Sequence, residues 1–142
     1  CGLEIKLQST KDVKTLSGVQ AVILDAPLYM FRWHPDARRF LSRHRSELAS
    51  LPTSIFALGP FHNKEDELRS AREQLDKELA KYSWLKPTAI EVFTGKFDPA
   101  SLRFPYSMIG PLKKMPASDE RDWPAIQAWA MKVADSFQST GQ

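Results

Sequence analysis

The sequence predicts an α/β domain with a doubly wound parallel sheet in three layers, helices on both faces. Two observations carry this. Short apolar runs recur at residues 19–25, 53–58 and 88–94 (Val-Gln-Ala-Val-Ile-Leu-Asp, Thr-Ser-Ile-Phe-Ala-Leu and Thr-Ala-Ile-Glu-Val-Phe-Thr). Such runs mark strands buried on both faces. Amphipathic helical stretches lie between and after them, and the runs stop at Pro27, at Gly59-Pro60 and at Gly95.

The elements follow in order. Leu3, Ile5 and Leu7 alternate with Glu4, Lys6 and Gln8, the period-two pattern of a half-exposed strand. Residues 9–18 are polar and suit a brief helix or turn. The strand at 19–25 ends at Pro27, which cannot donate to a ladder. Pro35 sits well for a first helical turn. Ala37, Phe40, Leu41, His44 and Leu48 then recur at spacings of three and four, one face of a helix closed by Leu51-Pro52. His44 falls on the inner side and is expected to be packed and hydrogen-bonded. Residues 65–81 form the clearest helix, with Leu68, Ala71, Leu75, Leu79 and Tyr82 as its apolar stripe. Residues 96–122 carry Pro99, Pro105, Pro111 and Pro116 and allow only a short helix around 106–114. Asp122 reads as an N-cap. Ala125, Ile126, Trp129, Val133 and Phe137 mark a final helix, with a frayed tail at 139–142.

Bulk properties bound the function. The chain has 142 residues, 42% hydrophobic and 26% charged, enough for one core and one domain over 1–142. A net charge of +3 and a pI near 9.1 permit attraction to phosphate or, at most, to the periphery of an anionic membrane. No basic stripe interleaved with aromatics appears, so no nucleic-acid partner is expected. No run reaches the ~18 apolar residues of a membrane span. Cys1 is the single cysteine, so no internal disulfide forms, and a reducing, cytoplasmic setting is expected. The three histidines lack metal-ligand spacing. No nucleophile elbow, Walker loop or dinucleotide fingerprint occurs. The pairs Asp66–Glu67 and Asp119–Glu120 are most simply solvated faces or caps. No catalytic residue is assigned.

Ligands of open α/β sheets bind beyond the carboxyl ends of the strands. Three loops leave those ends, at 26–34, 58–63 and 94–98. The first carries Tyr29, Met30, Phe31 and Trp33. Water opposes exposing such side chains, so a planar ligand, a partner surface or the core must cover them. The second loop offers Gly59 for close backbone approach and Phe61 for packing.

Residues 22–30 (Val-Ile-Leu-Asp-Ala-Pro-Leu-Tyr-Met) and 32–41 (Arg-Trp-His-Pro-Asp-Ala-Arg-Arg-Phe-Leu) together resemble the flavodoxin-domain family, and more narrowly its branch of bacterial menaquinone-dependent protoporphyrinogen oxidases. Residues 55–60, 93–96 and 121–123 are similar to that branch too. The resemblance implies a flavodoxin-like fold and non-covalent FMN held at the carboxyl edge. It implies flavin contacts at Ala26, Pro27, Leu28, Tyr29, Met30, Phe31, Trp33, Leu58, Gly59, Pro60, Phe61 and Gly95, with Tyr29 as the stacking ring. It implies oxidoreductase or electron-transfer chemistry with a redox partner or quinone. Two departures stand out. Phe31 replaces the family's flavin-side glycine and would crowd the ring. Nothing matches the family's first strand, phosphate loop and first helix, so the chain is expected to be N-terminally truncated and to bind FMN weakly or not at all. The alternative is a flavodoxin-fold binding or regulatory module that has lost its cofactor.

Overall fold

The computed structural model describes residues 2–25, 27–29, 32–60, 62–102 and 106–140. In chain order its elements are β1 (Val22–Asp25), β2 (Leu28–Tyr29), β3 (Arg32–Trp33), α1 (Pro35–Arg43), α2 (Arg45–Leu48), β4 (Thr53–Leu58) and α3 (Glu65–Leu79). There follow β5 (Ala89–Phe93), β6 (Lys96–Phe97), short 3-10 turns at Pro99–Ser101 and Tyr106–Met108, α4 (Gly110–Lys113), β7 (Ser118–Asp119) and α5 (Trp123–Thr140).

The central sheet is parallel, in the order β1-β4-β5. Leu24 pairs with Ile55 and Ile55 with Ile90; Asp25 pairs with Phe56 and Phe56 with Glu91. Paired residues of adjacent strands share a face, so the alternation sorts the side chains into two layers. On one face Leu24, Ile55, Ala57 and Val92 join a buried cluster with Phe40 and Leu41 of α1, Leu48 of α2, and Ala71 and Leu75 of α3. Each fully buried Leu or Ile here contributes about 1.5–3 kcal/mol of transfer free energy. On the other face Phe56 and Phe93 meet Trp129 of α5 edge-on, at centroid distances of 5.7 and 5.8 Å. Helices therefore cover both faces, the three-layer α/β/α arrangement expected.

The helix expected over 35–48 breaks at His44, between α1 and α2. His44 is 2% exposed; its Nε2 donates to the Val13 carbonyl at 3.3 Å, and its Nδ1 lies 3.5 Å from Glu47 Oε1. At the start of α1, the Nδ1 of His34 accepts from the Asp36 amide at 3.3 Å, with Pro35 in the first turn. Asp122 caps α5 as expected, its Oδ1 accepting from the Ala125 amide at 3.0 Å.

The strand expected at residues 3–7 is absent. Those residues form no ladder, and Ile5 and Leu7 are 83% and 95% exposed. Alternation specifies a strand only where a sheet edge receives it. The chain enters the core later, at Val13 and the buried Leu16.

Candidate functional site at the carboxyl edge of the sheet

Because β1, β4 and β5 run parallel, the loops that follow them leave from one edge. After β1 the chain folds back as a hairpin, with Leu28 paired to Trp33 and Tyr29 to Arg32. After β4 the chain turns at Gly59. The Gly59 amide donates to the Phe93 carbonyl at 2.8 Å, and the Gly95 amide donates to the Pro60 carbonyl at 3.4 Å. The second and third loops are thus bonded to each other.

A cavity of about 450 Å3 opens beside this edge, lined by Leu28, Gly59 and Pro60 and by Asp66, Glu67, Ser70, Ala71 and Gln74 of α3. Three of the expected contact residues, Leu28, Gly59 and Pro60, come together there. Pro27 is half-buried beside Leu28. Leu58 and Gly95 are not on the wall; a Cβ on Gly95 would touch the Leu58 Cβ at 3.8 Å. Ala26, Met30, Phe31 and Phe61 lie outside the described residues, and for Tyr29 only the backbone is described.

Trp33 is placed elsewhere. Its ring is 1% exposed, sits in the core and stacks on Tyr82 at 5.6 Å. The hairpin of β2 and β3 turns it inward, so the core covers this aromatic. Its Nε1 is buried without a hydrogen-bond partner among the described residues.

Gly59 is needed for packing rather than for an unusual backbone angle. A Cβ there would fall 2.9 Å from Val92 Cγ1 and 3.2 Å from the Ala71 Cβ. The residue lets α3 close on the β4 loop and so forms the floor of the cavity.

The electrostatics of the edge are acidic. Glu67 lies 3.4 Å from His62 Nδ1, and Asp66 stands beside it on the wall, with no Lys or Arg among the described lining residues. Asp25, at the carboxyl end of β1, keeps part of its surface open, yet neighbouring atoms desolvate its carboxyl and raise its pKa to about 6. Among the described residues no group of three or more His, Cys, Asp or Glu could hold a metal ion.

The acids read from sequence as solvated faces have particular duties here. Asp66 and Glu67 line the cavity. Asp119 pairs with Arg121, Nε to Oδ1 at 2.7 Å, which holds its carboxyl well down, to about 2. The Arg121 guanidinium also lies 5.0 Å over the Trp123 ring. Glu120 ties the edge loops together. Only the tertiary fold brings these residues to the edge, so spacing along the chain carried no signal of it.

A protein-family model described as "Flavodoxin domain" matches residues 2–122. The chain belongs to the flavodoxin-domain family. No curated protein and no solved structure matches it. Flavodoxin domains typically bind FMN, and the cavity lies where such a flavodoxin-like domain opens its carboxyl edge. The wall suits a flat ring: Leu28, Pro60 and Ala71 supply apolar contact, and Ser70 and Gln74 supply hydrogen-bonding groups. It does not suit a phosphate, because among the described residues its charged lining side chains, Asp66 and Glu67, are carboxylates. No helix of the described residues is long and apolar enough to cross a membrane.

Proposed function

We propose that this flavodoxin domain is an FMN-dependent redox module that takes the flavin ring, and not the phosphate, in the cavity between Leu28, Gly59-Pro60 and α3. The observation that carries the reading is the convergence of Leu28, Gly59 and Pro60 on one cavity at the carboxyl edge. The flavin supplies the electron-transfer chemistry when bound. The chain's own residues position and shield it: Leu28 and Pro60 by apolar contact, Ser70 and Gln74 by hydrogen bonds, and the Gly59 turn by bringing α3 close. With a carboxylate wall and no Lys or Arg among its described lining residues to anchor phosphate, affinity for FMN is weak. A titration of the 142-residue chain with FMN, followed by flavin absorbance and fluorescence, should perturb the ring spectrum below ~1 mM, an affinity of about −4 kcal/mol. No perturbation at that concentration overturns the reading.

The acidic wall favours a second reading, a flavodoxin-fold binding module without cofactor. The same titration separates the two. Within the flavin reading, the run Tyr29-Met30-Phe31-Arg32-Trp33-His34 and the basic pI support a protoporphyrinogen oxidase-like reaction with a quinone or other redox partner, in the cytoplasm or at a membrane periphery. The protein, loaded with FMN, should then oxidise protoporphyrinogen. FMN bound without oxidation removes that finer assignment.

A further inference from the structure

Glu120 is bonded to two of the three carboxyl-edge loops at once. Its Oε2 accepts from the Asn63 amide at 2.6 Å. Its carbonyl accepts from the Thr94 hydroxyl, and its own amide donates to the Gly95 carbonyl at 3.4 Å. Asn63 ends the loop that begins at Gly59, and Thr94 and Gly95 begin the loop after β5.

The reach of Glu120 is set by its neighbours on both sides. Before it, Ser118 and Asp119 form β7 against Phe97 and Lys96. After it, Arg121 is fixed by its bonds to Asp119, and Asp122 caps α5. The 94–122 segment is thus closed at both ends: β6 leaves the sheet edge and β7 returns to it. A carboxylate accepting from a backbone amide is a charge-assisted bond, stronger than a neutral one. Nothing about the residue's sequence context requires that bond, since an acid beside Asp119 and Arg121 could equally well face water.

We propose that Glu120 is a positioning residue, a latch that fixes the spacing of the Gly59 and Gly95 loops and so holds the cavity wall. Its effect on ligand affinity rests on the flavin reading above; its effect on the loops does not. When the Oε2 bond is lost, the Asn63 amide is released, and among the described residues the 59–63 loop keeps its bonds to Phe93 and Gly95 and the His62–Glu67 pair. The wall then samples wider spacings, and a flat ring between Leu28 and Pro60 loses contact.

The test compares the wild-type chain with Glu120→Ala and Glu120→Gln. Native-state amide exchange at Asn63 is measured alongside flavin titration and thermal unfolding. In Glu120→Ala, Asn63 exchange should rise about ten-fold, as expected for one charge-assisted bond, and flavin affinity should fall several-fold. Glu120→Gln keeps the acceptor and the length and should restore most of both. The melting temperature should move little, because the bond is exposed; a general loss of structure would lower it and would not be rescued by Gln. Unchanged Asn63 exchange in Glu120→Ala overturns the latch. Faster exchange with unchanged flavin affinity overturns its role at the cavity. If the wild-type chain binds no flavin, the redox reading falls, and the latch stands or falls on Asn63 exchange alone.

Discussion

Single residues set the shape of the carboxyl edge. At Gly59 the space for a side chain is already taken by Val92 and Ala71. Gly59→Ala should therefore destabilise the chain by about 1–3 kcal/mol, the range for overpacking, with the shift read by urea denaturation. Trp33 makes the opposite case. Its ring fills the core but leaves Nε1 unpartnered among the described residues. Trp33→Phe removes that donor and some volume together, so the two effects offset and stability should change by less than about 1.5 kcal/mol. Trp33→Ala should cost about 3–5 kcal/mol. Equal losses in the two variants would show that the indole nitrogen makes a bond. Trp33 also shows why the first loop was hard to read. Tyr29, Met30 and Phe31 stand in the same run, and nothing local in it marks Trp33 as the residue that the Leu28–Trp33 pairing turns into the core. Asp25 adds a pH dependence. Its carboxyl titrates near 6 in the folded chain, raised by desolvation from 3.8. The folded state thus holds this proton more tightly than the unfolded state, and stability falls as pH rises from about 4 to 6. Allowing for partial exposure, the cost above pH 6 is about 1 kcal/mol. Asp25→Asn should recover that amount at pH 7 and flatten this part of the pH profile in denaturant titrations.

At the scale of elements, the stripes along the helices were the legible part. The apolar positions of α3, and those of α5 apart from the exposed Ala125, are buried or half-buried as their spacing requires, because a period of 3.6 is a property of the helix itself. The Asp122 cap was equally local: an acid before an apolar-periodic run, accepting from the Ala125 amide. Asp122→Ala should cost about 1 kcal/mol. Trp129 should report it, since its contact with the Phe56 and Phe93 rings, and so the polarity around its indole, depends on α5 staying seated. What failed was pattern that needs a partner. Leu3, Ile5 and Leu7 alternate as a strand does, yet a strand exists only with a neighbour, and no ladder reaches them. The helix from Pro35 breaks at His44, whose ring is bonded to Val13, 31 residues earlier in the chain. Neither outcome can be read from a local window.

At the scale of the whole molecule, two charge patterns compete over an anionic ligand. The chain as a whole is +3, which attracts a phosphate. The cavity presents Asp66 and Glu67, which repel one. Distance decides between them. At ~0.1 M salt the screening length is about 10 Å, so scattered surface lysines and arginines act weakly on a ligand in the cavity, while the lining carboxylates act at close range. The local term should win. FMN should then bind no more tightly than riboflavin, which shares its ring and lacks its phosphate. Added salt should leave FMN affinity unchanged or raise it slightly. Neutralising the wall in Asp66→Asn/Glu67→Gln should strengthen FMN binding by a few-fold, of the order of 1 kcal/mol for a pair of near charges in water, and leave riboflavin unaffected. Parallel titrations of both flavins at low and high salt test this directly. A steep fall in FMN affinity with salt, with riboflavin insensitive, would place the phosphate on a cationic surface and show that the carboxylate wall is not where its charge resides.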